Sequence, residues 1–292
     1  MSLPPWLVPL ADRLRSALAA DTLPHAILIS APPGWGDGVL GNWLALTLLG
    51  ADVDRDASQL AHPDLRWLVP DGAEIKVDMV REVNALCQGT AQGGARKVAV
   101  LAEAHALNRA AANALLKTLE EPPPGTHLLL CSDRPTRLLP TVRSRCQAVV
   151  IRPDAEQARR WLAARVPEAD LDRLLFEHGG APLSAAAAAA AGEPSLEPVL
   201  LDALQPGRRA AVLAALQQPD LVDALARWYR YVLALAAGTW RPPALAGASG
   251  RAVAQFATEL VWVRRQLLTS NSANGTLLSE RLLSRWRRLA TL

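Results

Sequence analysis

The stretch Ala31-Pro32-Pro33-Gly34-Trp35-Gly36-Asp37-Gly38 follows a short apolar run and has the form of a phosphate-binding loop without its chemistry. The pattern G-x-x-x-x-G-K-[ST] cradles phosphates with backbone N–H groups, reaches the β/γ-phosphates with Lys and holds Mg²⁺ with a hydroxyl. Here Asp37 stands in the Lys slot and Gly38 in the hydroxyl slot. A carboxylate about 4 Å from a phosphate charge, at an effective dielectric near 20, costs on the order of 4 kcal/mol where Lys would have gained as much. A helix N-terminus nevertheless favours an anion by roughly 0.3–1 kcal/mol. Asp37 is therefore expected to fill the anion hole itself. The 31 basic residues include only three lysines (76, 97 and 117), so simple drift from Lys would have left Arg at position 37.

A working ATPase of this type also ends its third strand in an acidic pair, one carboxylate holding Mg²⁺ and one orienting water. The corresponding string is Val98-Ala99-Val100-Leu101-Ala102-Glu103. Ala102 offers no oxygen to a metal, and Glu103, with neither Lys nor Mg²⁺ beside it, is left as a capping or solvated carboxylate. Three of the groups that hold Mg·ATP are missing together, so no nucleotide cofactor and no intrinsic ATPase are expected. His25, just before the first apolar run, is expected to pack or hydrogen-bond instead of acting as a base.

The elements that position these residues alternate. Short β-like runs occur at Ala26–Ser30, Leu65–Val69, Lys97–Leu101, His127–Cys131 and Ala148–Ile151, with helical patterns between most of them. This order predicts a mainly parallel α/β sheet with helices on both faces. The clearest helix starts at Asn108 as N-cap, carries Ala112, Leu115, Leu116 and Leu119 at i, i+3, i+4, i+7, and is closed by Pro122-Pro123-Pro124. After Ile151 the strand signal stops. Residues 154–192 read as short helices around Gly179-Gly180, ending in the Ala run 185–191. Gly192–Pro198 reads as a linker, and the rest as helices interrupted by a Pro/Gly-rich loop at Gly238–Gly250. In the last helix Leu278, Leu282, Trp286 and Leu289 make one apolar stripe.

Half of the 292 residues are apolar, enough for two or three domains each with a core. No segment approaches eighteen apolar residues, and the first residues lack a basic start followed by an apolar run, so no membrane association and a cytoplasmic location are expected. Cys87, Cys131 and Cys146 are an odd number at wide spacing, expected as buried reduced thiols. The formal charge of +3 is uneven: seven arginines between 251 and 292 face only Glu259 and Glu280. That basic end fits a nucleic-acid or acidic partner, or simply solvated helix faces. The tryptophans form no ladder for stacking bases and are expected in the core or at interfaces.

Several strings together resemble the bacterial clamp-loader family of AAA+ proteins: Pro24-His25 and the altered loop, His62-Pro63-Asp64, Val98–Glu103, Asn113-Ala114-Leu115-Leu116-Lys117-Thr118-Leu119-Glu120-Glu121-Pro122-Pro123, and Ser144-Arg145-Cys146. The resemblance covers roughly residues 24–147. It implies a RecA-like AAA+ domain at 1–152 with a degenerate loop, a small helical lid at 153–195, and an all-α collar domain for oligomerisation at 196–292. It also implies a non-catalytic place in a ring with gamma/tau and delta subunits, acting on a sliding clamp and primer-template DNA through the complex. In that family the Arg of Ser-Arg-Cys reaches a neighbour's ATP, so Arg145 is the implied finger in trans; pairing with a carboxylate of its own domain is the alternative. A zinc module common in the family is missing, since residues 48–62 hold no cysteine, and no metal is expected. Ser132 matches a polar nucleotide sensor, which without nucleotide reads as a strand-end hydrogen-bonding residue, and Leu183 occupies the place of the lid's sensor Arg. A stand-alone basic DNA-binding protein and an autonomous ATPase with an altered loop are the rival readings.

Overall fold

A computed structural model describes residues 3–217, 220–269 and 273–290. The chain divides into two compact units, residues 1–165 with 181–184 and residues 166–180 with 185–292. The expected lid segment 153–195 is thus shared between them.

The first unit is built on five parallel strands, β1 (Ala26–Ser30), β2 (Leu65–Leu68), β3 (Lys97–Leu101), β4 (Thr126–Ser132) and β5 (Gln147–Val150), in the order β2-β3-β4-β1-β5. Its helices are α1 (Val8–Ala19), α2 (Asp37–Leu49), α3 (Val77–Gln88), α4 (Arg109–Glu120), α5 (Pro140–Arg143) and α6 (Ala155–Ala163). The period of two along each strand sorts side chains between two cores. Ile27 and Ile29 of β1, with Val98, Val100, Leu129 and Cys131, pack with α2 residues such as Leu40 and Leu44. Ala26 and Leu28, with Ala99, Leu101, Leu128 and Leu130, face α3 and α4 through Val80, Val83, Leu115 and Leu119 on the other side. Both faces being covered, β1 and β3 are buried along their whole length and read as continuous apolar runs.

Local chemistry sets the helix ends. Asn108 Oδ1 accepts from the Ala111 amide at 2.9 Å, and α4 stops one residue before Glu121 and its prolines. On α4 the buried face is Ala111, Ala112, Leu115, Thr118 and Leu119, whereas Leu116 is only half-buried. Helix α2 runs so close to β4 that a Cβ on Gly41 would lie 2.4 Å from Cys131 Sγ, so only glycine fits there.

The second unit is helical: α7 (Glu168–Glu177), α8 (Pro182–Ala190, whose first residues belong to the first unit), α9 (Leu196–Asp202), α10 (Arg209–Leu216), α11 (Leu221–Ala237), α12 (Gly250–Thr269) and α13 (Gly275–Ala290). The Ala run propagates α8, as its helix propensity requires. The expected linker Gly192–Pro198 is shorter than read: Ser195 caps α9, and Pro198 sits in the first turn of that helix. A first-turn N–H has no intrahelical acceptor, so proline there costs no hydrogen bond. The loop at 238–250 likewise holds a short 3₁₀ turn at Pro243–Leu245, and Gly250 already belongs to α12. On α13 the buried positions are Ser279, Leu282, Leu283, Trp286 and Leu289, and Leu278 is half-buried. Trp286 is fully buried, meets Trp228 edge-on at 5.5 Å, and donates from Nε1 to the Leu200 carbonyl at 2.9 Å. Burying a large apolar side chain contributes roughly 1.5–3 kcal/mol, and the paired N–H spares Trp286 the cost of a buried donor without a partner. Among the described residues no helix is long and apolar enough to cross a membrane.

Candidate functional site

At the C-terminal end of β1 the chain turns through 31–36 and enters α2 at Asp37. Gly34 (φ +73°) and Gly36 (φ +99°, the N-cap) are left-handed, a conformation the steric map grants glycine. Ala31 takes the first glycine slot of the phosphate-loop pattern, one more departure from it. The Asp37 side chain is half-buried, and burial is the main cause of a pKa pushed up to about 6. Backbone hydrogen bonds at Gly38 and Asp37 itself pull the other way, and the charges of Asp133 and Glu103 push it up further. The carboxylate thus lies beside the Gly38 amide and its own at the start of α2.

Protein also fills the space around the loop. A Cβ on Gly34 would fall 2.4 Å from Ser184 Oγ and 2.7 Å from Ala181 Cβ, and one on Gly36 would fall 3.0 Å from Leu7 Cδ1 and 3.2 Å from Leu183 Cδ1. The Leu183 amide donates to the Gly34 carbonyl at 3.3 Å. Trp6 donates from Nε1 to the Trp35 carbonyl at 3.0 Å and meets the Trp35 and Trp161 rings edge-on at 5.6 and 5.4 Å. Leu183 is an apolar side chain against the loop.

At the end of β3, Ala102 is half-buried and Glu103 is exposed with φ +53°. Glu103 precedes a short 3₁₀ turn but its side chain makes no cap bond. At the end of β4, Ser132 is buried and its Oγ accepts from the Arg134 amide at 3.1 Å, a strand-end role. His105 Nδ1 lies 3.3 Å from both Ser132 Oγ and Asp133 Oδ1. Because one nitrogen faces both groups, this is no Ser–His–Asp relay, in which the two ring nitrogens have separate partners. Burial holds the His105 pKa below the usual range. His25 Nε2 bonds the Leu119 carbonyl at 2.9 Å, tying β1 to the end of α4.

Arg145 lies between α5 and β5. Its Nε and Nη2 meet Glu120 Oε1 at 2.8 and 2.6 Å, and its Nη1 donates to the Thr141 carbonyl at 2.8 Å. Arg145 therefore pairs with a carboxylate of its own unit. The two residues are 25 apart in sequence, and nothing in the strings that carry them marks the pair. The positions of Ala181 and Ser184 against Gly34 were equally hidden, since no sequence period links the two segments.

The family model described as "DNA polymerase III, delta subunit" matches residues 8–155, just over half of the chain, and takes in the loop, the end of β3 and Arg145. The chain belongs to the DNA polymerase III delta-subunit family. Its curated relatives in that family include the delta prime subunits of Pseudomonas aeruginosa, 44% identical over 178 residues (55% of this chain, 54% of the relative), and of Escherichia coli K12, 40% identical over 176 residues (56% and 53%). The chain thus spans about half the length of the curated relatives it matches. A DNA polymerase III gamma subunit-related protein of Thermotoga maritima has the same fold, with a TM-score of 0.63 at 18% identity over 98% of this chain and 99% of that one. The shared fold is a parallel sheet with helices on both faces, followed by helical parts.

The three thiols are free; Cys87 and Cys131 are buried, while Cys146, expected to be buried, is only half-buried at the start of edge strand β5. Burial pushes the Cys87 and Cys146 thiols up to about 11, so neither is a ready nucleophile. Within the basic end Glu259 takes Arg281 at 2.6 Å and Arg285 at 3.0 Å, whereas Glu280 is taken by Arg209, which lies outside it, at 2.8 Å.

Proposed function

We propose that this chain is a non-catalytic subunit of a replicative clamp loader, assembled in a cytoplasmic ring with gamma/tau and delta subunits that opens a sliding clamp and places it on primed DNA. Its first unit serves as a degenerate AAA+ module, and residues 196–292 serve as the collar that joins the ring, with 153–195 as the lid between them. Arg145 is its chemical contribution, a guanidinium offered to the ATP held by a neighbour. The single observation that supports this reading is the contrast within one sheet domain between a loop packed by Leu7, Leu183 and Ser184 at the C-terminal end of β1 and a half-exposed Arg145 just before β5. A fixed guanidinium fork suits the charge of a transferring phosphoryl group. Arg281 and Arg285, both paired to Glu259, weigh against a stand-alone DNA-binding role.

The test is reconstitution with gamma/tau and delta subunits, followed by sizing of the mixture. A stoichiometric complex containing this chain is expected. A chain that stays monomeric with every combination would end the proposal.

A further inference from the structure

We propose that Glu120 is the positioning residue for Arg145: it fixes the guanidinium plane and leaves one terminal N–H of Nη2 directed outward for an oxyanion from outside the chain. The inference rests on the trans reading of Arg145 given above.

Glu120 is the last residue of α4, a helix that cannot continue into Pro122-Pro123-Pro124, so its side chain springs from a fixed end. Arg145 follows Ser144, the C-cap of α5. A planar guanidinium has five N–H groups along its edges. Glu120 Oε1 takes the edge made by Nε and Nη2, at 2.8 and 2.6 Å. The Thr141 carbonyl takes one N–H of Nη1 at 2.8 Å, and Ser144 Oγ lies at 3.5 Å from the same nitrogen, the limit of a hydrogen bond. Since Nη2 spends one N–H on the shared edge with Nε, its other N–H lies on the terminal edge. That N–H can give a charge-assisted hydrogen bond to a phosphate oxygen.

The exposure fits this use. The side chains of Arg145 and Glu120 are 35% and 49% exposed, and ion pairs so open to solvent contribute little to stability. Their consequence is orientation: a long, flexible side chain is immobilised before any ligand arrives, so the ordering is not charged to the binding step.

The test compares Glu120 and Arg145 variants in the assembled complex, with ATPase kcat and the KM for ATP measured separately under DNA and clamp stimulation. Arg145→Ala is expected to lower kcat. Glu120→Ala should lower kcat severalfold with KM unchanged, Glu120→Gln should retain most of it because the Oε1 acceptor stays in place, and Glu120→Ala should add nothing to the loss in Arg145→Ala. If Glu120→Ala does not fold or assemble, Glu120→Asp takes its place: one methylene shorter, it withdraws the acceptor while keeping the charge, and it should be slower than Glu120→Gln. Wild-type kcat in Glu120→Ala or Glu120→Asp beside a slow Arg145→Ala, or losses that add in the double variant, would overturn the role of Glu120 and leave the trans reading standing. Normal kcat in Arg145→Ala would overturn both.

Discussion

Glu177 and Arg227 form an ion pair buried within the second unit, with Arg227 Nη2 2.5 Å from Glu177 Oε2 and the glutamate fully shielded from water. The other glutamate oxygen accepts from Ser195 Oγ at 3.0 Å, the Leu196 amide at 3.0 Å and Tyr231 Oη at 2.8 Å. Arg227 also pairs with Glu193 and donates to the Pro194 carbonyl at 2.7 Å. One carboxylate therefore joins the end of α7, the segment 193–196 and helix α11. This is the physical reason that residues 166–180 group with the helices after 185.

Removing one partner of such a pair strands the other in a dry site. Arg227→Met should cost about 3–5 kcal/mol, and Glu177→Leu a similar amount, because the latter also orphans three donors. The double replacement should be milder than the sum of the two. Denaturant unfolding of the full chain, followed by tryptophan emission from the Trp228 and Trp286 core, measures this. Full additivity would mean that the pair is not coupled.

How much of this was legible beforehand follows from the range of the forces involved. β1 and β3 were readable to the residue because burial on both faces leaves uninterrupted apolar runs, the partly exposed edge strands β2 and β5 only by their place in the alternation with helices, and α4 because its cap, stripe and prolines are all local. Pro198 misled, since a proline marks a loop or a helix start equally well and only the Ser195 cap decides. At the loop, Asp37 and Gly38 are visible as departures from the phosphate-loop pattern. The contacts of Ser184 with Gly34, of Glu120 with Arg145 and of Glu177 with Arg227 join residues that are 25 to 150 positions apart. They depend on tertiary packing, which no local pattern encodes.

Two titrating groups should tilt stability in opposite directions. The Asp37 pKa is raised from 3.8 to about 6, so the folded state holds the proton longer than the unfolded one. Its contribution is fully present below about pH 3.8 and is lost as pH rises through 6. His178 is pushed down from 6.5 to about 4, first by burial and then by the charge of Arg227. Its contribution is present above pH 6.5 and is lost as pH falls toward 4. Asp37→Asn should thus melt higher than wild type at pH 8, by roughly 2–4 °C per kcal/mol relieved, with the gap closing near pH 4. His178→Gln should gain on wild type as pH falls from 6.5 to 4. Parallel melting curves across pH 4–8 would refute both assignments.

Arg145 should matter to a reaction that its own chain does not perform. Arg145→Ala is expected to leave assembly intact while lowering the ATPase of the complex and slowing clamp loading. Fingers of this kind contribute roughly 10³–10⁵ in rate at a single site, and a ring with several sites dilutes that loss. Arg145→Lys should rescue only partly, because an ammonium cannot hold Glu120 on one edge and an oxyanion on another. Full activity in Arg145→Lys would mean that charge alone suffices and that the fork is irrelevant.

The isolated chain should not bind ATP, and restoring the missing groups should not be enough to make it do so. Asp37→Lys, Gly38→Thr and Ala102→Asp return the cation, the hydroxyl and the metal-side carboxylate that the loop pattern demands. They do not move Leu183, Ala181 or Ser184 away from Gly34 and Gly36, nor the Trp6 and Trp35 side chains that brace the loop. A nucleotide entering there must displace packed apolar side chains, and well-packed interiors resist insertion by about 1–3 kcal/mol even for a few added methylenes. Calorimetry of the triple variant with Mg·ATP is therefore expected to give no measurable heat up to millimolar nucleotide, as for the wild-type chain. Micromolar binding by the wild type would show that the loop is not closed; binding by the triple variant alone would show that the lost charges, and not the packing around Gly34, keep nucleotide out.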